Sequence, residues 1–435
     1  MIELFQILLF FSIFTFILIV PINLFQSQSF LKNFNVLEKS CFNLTINLNL
    51  LLVLSFLDYP VKLLQPILLS IFIIIFFYNY HKNLFFFKKF LKSIFPLFLI
   101  FFVLSVNIST ELFLGWDAKF FYYVKSLFFF EEKTIYDLNK FSQNIWHPYF
   151  GSYLWGFFWS ISPTEIEYFG RLFYLFIFCY SFFLISQFEI DDKINNLIFF
   201  ILIILFYEYK FFSGLQEILI FSLLVLISKF FYKSTLSHDR INLIMILLLS
   251  NLFLWIKSEG IVYYFISILM IGLTKKFSYK EKISFFLLFI ILYFLKVFIY
   301  DIANFNLNSQ STFYNLDYLV SLDFQTIIFK IKNIFLWLGY YTLANIFYPI
   351  FILIILSEKF FLKKRELNFE FDKLLYLYIV SIAVFIFLAY ILRDMEIIKS
   401  IRTTMDRLVM TASGFLVYPC IMKVMHFLKY KKIYK

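Results

Sequence analysis

Apolar runs of about 15 to 20 residues recur along the chain, separated by shorter polar stretches rich in lysine. As a helix, each run is long enough to cross roughly 30 Å of hydrocarbon. Lipid gives backbone N–H and C=O groups no outside partner, so a spanning segment must be a helix or part of a closed barrel. The alternating ten-residue pattern of barrel strands is absent from the sequence. The pattern therefore predicts an all-α polytopic membrane protein with about 12–13 transmembrane helices. Candidate spans are 2–21, 47–59, 62–80, 94–110, 166–187, 194–212, 214–233, 240–257, 259–274, 282–300, 333–356, 374–392 and 407–427, with 47–59 short for a crossing. The run at 149–163 would invert the sidedness of every later connector if it crossed, so it reads as a short interfacial or half-inserted helix. Its Tyr, Trp and Pro suit the headgroup zone.

Composition sharpens this picture. Of 435 residues, 62% are hydrophobic and 15% charged, far from the roughly one quarter charged of soluble domains. The 69 phenylalanines beside only 9 glycines reflect codon bias and carry no functional signal. Cys41, Cys179 and Cys420 share no spacing, which implies neither a disulfide framework nor a zinc site. The first 20 residues lack a basic start and a small-residue cleavage site, so they read as a retained span. No repeat or linker divides the chain, which reads as one membrane domain over 1–435, with spans in 1–93, a core at 94–300 and a last part at 301–435.

The net charge of +11 does not point to nucleic acid, because the lysines fall between spans. Five basic connectors (Lys82/Lys88/Lys89/Lys92, Lys229/Lys233/Arg240, Lys275/Lys276/Lys280/Lys282, Lys359/Lys363/Lys364/Arg365 and Lys429/Lys431/Lys432/Lys435) fit a cytoplasmic placement. The segments 111–148 and 301–332 then face away from the cytoplasm. Each carries one more acidic than basic residue, five against four and three against two.

Ionisable residues in apolar surroundings mark the candidate chemistry, because one at the bilayer centre costs about 2.5–3.5 kcal/mol or more and is expected to face a cavity or a partner. Asp117 opens the loop GWDAKFFYYVKSLFFFEE and His147 closes it in IWHPYFG. Asp117 also suits a helix cap, where an acidic side chain meets unpaired N–H groups. Glu217 begins a span after FFSGLQ, Lys257 and Glu259 sit in the turn of LWIKSEGIVYYF, and Arg407 opens the last span in TTMDRLVM. Helix ends at the interface account equally for Glu217 and the Lys257/Glu259 turn, and a snorkelling anchor for Arg407. Glu259 is not the expected partner of Lys257, because positions two apart do not face each other on a helix. Together these residues supply a carboxylate for proton transfer and cations for a phosphate.

The run GWDAKFFYYVKSLFF…WHPYFGSYLWGFFW resembles the first extracytoplasmic loop of GT-C-fold membrane glycosyltransferases, in particular the bacterial group related to protein O-mannosyltransferases. SGLQEILIF is similar to that group's small-Gly-x-acidic element, with Gln216–Glu217 where an Asp is usual. WIKSEG resembles its Lys-x-Glu-Gly turn, and TTMDRLVM its Arg-Leu element. The four elements keep their order over about 300 residues, from 94 to 427. The resemblance implies a transferase in the cytoplasmic (inner) membrane that uses a polyprenyl-phosphate sugar, with loop 111–148 as an extracytoplasmic catalytic loop. It implies Asp117 as general base, Lys257 and Arg407 as phosphate contacts, and Glu217 and His147 as orienting groups, supported by Trp116 and Glu259. The acceptor is a glycan, lipid or protein. A divalent metal is compatible with carboxylates meeting a phosphate, but no ligand spacing demands one. The rival readings are a transporter or flippase of lipid-linked saccharides, which predicts inverted repeats and broken midplane helices, and a polymerase or ligase, which predicts a late loop rich in Arg and His.

Overall fold

The structure, a computed structural model, describes residues 2–19, 31–110, 113–141, 147–162, 164–188, 191–305, 320–361, 369–393 and 396–433. The charges of Glu111, Asp317, Lys363, Lys364, Arg365 and Lys435 fall outside these residues. The described chain is helical throughout and contains no β-strand. Among the described residues six helices, against the 12–13 spans expected, are long and apolar enough to cross a membrane: Val36–Leu54, Tyr168–Ser186, Glu217–Leu236, Tyr279–Ile302, Glu370–Ile391 and Ile397–Met425. A bent pair brings the number to seven, and shorter apolar helices such as Phe95–Thr110, Arg240–Ile256 and Gly260–Leu273 lie between them.

Several spans differ from the sequence reading for identifiable reasons. The 47–59 stretch belongs to a longer helix, Val36–Leu54, whose start is fixed by a capping box between Asn35 and Glu38. Its polar residues lower its hydropathy, yet they face protein: Asn47 donates to the Ile17 carbonyl at 2.7 Å and Asn49 to that of Leu248 at 3.1 Å. The helix that contains 62–80 runs from Val61 to Ser93, so the Lys82–Lys92 connector is helical backbone. The 333–356 run is two helices, Phe324–Ala344 and Phe347–Ser357, bent by 83°. Asn345 makes the break, because its extended backbone ends the first helix and its side chain accepts from the Phe347 N–H at 3.1 Å. The run at 149–163 holds the ten-residue helix Phe150–Trp159, about 15 Å long and too short to cross.

The chain divides into two compact units. The first comprises Met1–Ser222, Leu247–Gly260 and Leu292–Phe305. At its centre Tyr168–Ser186 is buried along its whole length. With little glycine or alanine available, this unit packs ring on ring: Phe158 stands 4.9 Å from Phe14 and 4.8 Å from Phe173. Arg171, buried within the same helix, is held by Glu167 at 2.8 Å and donates to the Phe212 carbonyl at 3.1 Å. The second unit comprises Leu223–Ile246, Ile261–Ile291 and Asn306–Lys435. Within it Tyr378 stacks on Phe415 at 4.4 Å, and Lys423 pairs with Asp372 at 2.8 Å.

Candidate functional site

The loop helix begins at Trp116 and winds as a π-helix over Ala118–Tyr122 before continuing as Tyr123–Phe130. Such single-turn π segments often accompany functional sites. Asp117 has helical backbone in the first turn of this helix, and its side chain makes no capping hydrogen bond to the π segment. Trp116 is largely exposed, its ring 5.0 Å from Phe120 and 5.6 Å from Phe121.

Two glycines bring the start of this helix against the chain that leads into Glu217. The Gly115 N–H donates to the Ser213 carbonyl at 2.9 Å. Gly214 adopts φ +87°, and a Cβ placed there would lie 2.7 Å from the Trp155 ring and 2.9 Å from Ala118 Cβ. Both the left-handed backbone and the space require glycine. Gly214→Ala is expected to cost about 2 kcal/mol or more, through backbone strain plus overpacking. A lowered unfolding midpoint of the purified protein in detergent checks it.

The helix Phe150–Trp159 holds the loop helix from its other side. Gly156 leaves room for the Ser126 carbonyl, Phe130 stacks on Trp159 at 4.2 Å, and the Gln216 amide meets the Ser152 hydroxyl at 3.0 Å. His147, just before this helix, is fixed through its backbone, since its carbonyl accepts from Lys125 Nζ at 2.5 Å. Its ring lies 4.9 Å from that of Phe121, one turn beyond Asp117.

The chain Gly214–Glu217 and the turn after Arg240–Ile256 supply the charged centre. Glu217 is buried at the first position of Glu217–Leu236. Lys257 reaches it from the turn, with Nζ 2.8 Å from Glu217 Oε1 and 3.4 Å from Glu259 Oε1. The contact with Glu259 corrects the expectation that the two would not meet. Residues 257–259 are a turn between helices, so the helical spacing argument does not apply. Gly260 closes the turn where a Cβ would overlap the Phe253 carbonyl.

The structure thus gathers Glu217, Lys257 and Glu259, sets His147 within the electrostatic reach of Glu217 and Lys257, and packs the Asp117-bearing helix beside them. Arg407 belongs to the second unit. It does not open its helix as expected, because that helix starts at Ile397 and Arg407 lies nearly three turns inside. Lys125 was missed in the sequence. It is fully buried, and burial lowers its ammonium to about 7. Arg171 was missed too, although a guanidinium inside an apolar run was a visible signal.

Burial first, then the cations Lys125 and Lys257, pulls the His147 imidazole down to about 3, against the opposing pull of Glu217. A histidine held neutral in this way orients a hydroxyl or phosphate better than it takes a proton at neutral pH. The folded value lies below the ordinary 6.5 of an unfolded chain, so between these values the unfolded state binds more protons. Stability that is complete above about pH 6.5 is therefore expected to drain away as pH falls toward 3. His147→Gln should flatten that loss in unfolding curves measured across pH.

Among the described residues no three His, Cys, Asp or Glu side chains converge as a metal-binding group. Both Glu217 and Glu259 are instead paired with the Lys257 ammonium. Comparison of the chain with known protein families, curated proteins and solved structures finds no match.

Proposed function

We propose that this chain is a membrane glycosyltransferase that moves a sugar from a polyprenyl-phosphate donor to an acceptor hydroxyl on the extracytoplasmic side. The reading rests on one arrangement: a lysine held by two carboxylates, beside a neutral histidine and a loop helix that carries Asp117 in its first turn. Each group has a task in a single displacement at the anomeric carbon. The Asp117 carboxylate takes the proton of the acceptor hydroxyl. The acceptor oxygen forms its bond to the sugar while the bond to the phosphate oxygen breaks, and the electron pair leaves with the phosphate. Lys257 meets that charge, taken over from Glu217 and Glu259, which hold the ammonium in position before the donor arrives. In surroundings this apolar a single ammonium acts strongly on a developing charge. His147 orients, and Lys125 holds His147.

One base and one leaving group suffice for a single displacement, and attack from the face opposite the leaving group inverts the sugar carbon. The test is a transfer assay with purified protein in lipid vesicles and a labelled polyprenyl-phosphate sugar. Formation of a glycosylated acceptor, with release of polyprenyl phosphate, supports the reading. Movement of the labelled lipid across the bilayer without cleavage would replace it with the transporter reading.

A further inference from the structure

Independently of the transferase reading, we propose that the turn between helices Gly260–Leu273 and Tyr279–Ile302 holds an anionic membrane lipid, with acyl chain in an apolar groove and phosphate against Lys282. The groove measures about 240 Å³ and is walled by Ile268, Ile271, Ile283, Phe286 and Phe289. Tyr279 and Lys282 supply its polar end. One wall belongs to Tyr279–Ile302, the least buried of the membrane-length helices, 28% against 100% for Tyr168–Ser186, so the groove lies on a helix that leaves most of its apolar surface uncovered by protein.

Charge selects the occupant. The turn and the first helical residues carry Lys275, Lys276, Lys280 and Lys282, the first three of them exposed. The acidic residue among them is already engaged. Glu281 accepts from Arg240 Nε at 2.6 Å, lies 3.0 Å from His238 Nε2 and closes a capping box onto Ser278. Lys282 Nζ donates to the Gly272 carbonyl at 3.0 Å, which anchors the ammonium at the rim of the groove. An ammonium has three donors, so this contact leaves it able to bind a phosphate oxygen as well. A zwitterionic headgroup brings its own cation to such a rim, whereas an anionic one answers the excess of positive charge.

The experiment uses the full chain, purified in detergent and mixed with equal amounts of phosphatidylglycerol and phosphatidylcholine, with retained lipid counted by native mass spectrometry. The wild-type protein should retain the anionic lipid preferentially. Lys282→Gln should weaken its retention about fivefold, the worth of one basic residue near an anionic headgroup. Gly272→Leu tests the groove separately, since a Cβ at Gly272 meets nothing within 4 Å and leucine favours the helix. That variant should fold and lose the acyl-chain contact, lowering retention of the anionic lipid. Equal retention of the two lipids by the wild type overturns the proposal, as does retention unchanged in both variants. Displacement of the lipid by millimolar inorganic phosphate would reduce the site to a headgroup contact and overturn it too.

Discussion

Asp117→Asn is expected to lower sugar transfer by about 10²- to 10⁴-fold, the usual contribution of a general base. Donor affinity should stay nearly intact, because the lost step is the removal of a proton from the acceptor in the transition state. Asparagine keeps the size of the side chain and most of its polarity, so the substitution removes the charge with little change of shape. The turn of chain beside it is set by the Gly115–Ser213 hydrogen bond and by the close approach of Gly214 to Ala118. An unfolding midpoint measured on the same sample separates lost chemistry from a damaged fold. Single-turnover transfer, read beside an equilibrium titration of the donor, checks both halves. Wild-type transfer by Asp117→Asn would leave the site without its base, and the transferase reading would fall with it.

What the sequence made legible was residue type against background. Glu217 and Lys257 stood out because charge is rare in apolar runs, and both are buried in one unit. Their pairing was not legible. Forty positions separate them, and only the Gly214 turn and the 257–259 turn bring them within 2.8 Å. Lys125 was hidden for the opposite reason: it is one of four lysines beside five acids in loop 111–148, and nothing local marks it as the one that the helix turns inward. The start of the last helix was misplaced because KSIRTTMDR is too polar for a membrane window. Yet Ile397, Ile401, Met405 and Leu408 recur at helical spacing, and all four are buried. Periodicity carried that boundary where mean hydropathy did not. The same limit applies to the bent pair, since Asn345 is a single residue within an otherwise apolar run.

Lys257→Met carries the second large expected effect, and the ion pair changes how it must be tested. Loss of a charge-assisted phosphate contact should weaken donor binding by roughly 1.5–3 kcal/mol, or about 10- to 150-fold. The same substitution takes from the buried Glu217 the cation 2.8 Å away, and breaking a buried pair from one side costs about 3–5 kcal/mol of stability. Weak binding by the single variant could thus report a damaged fold. Glu217→Gln in the same chain removes the charge that Lys257→Met strands, and an amide keeps its shape. The double variant is expected to recover most of the unfolding midpoint, because replacing both members of a buried pair is far milder than removing one. Donor affinity should not recover with it, since the phosphate still lacks its ammonium. Glu217→Gln alone should keep measurable donor affinity, because Lys257 retains its charge and Glu259, 3.4 Å away, still helps to hold it. Unfolding curves for the three variants, paired with donor titrations of each, separate the two roles. If the double variant regains both stability and donor affinity, the Lys257–Glu217 pair is a structural tie between two turns, and the donor phosphate is held elsewhere.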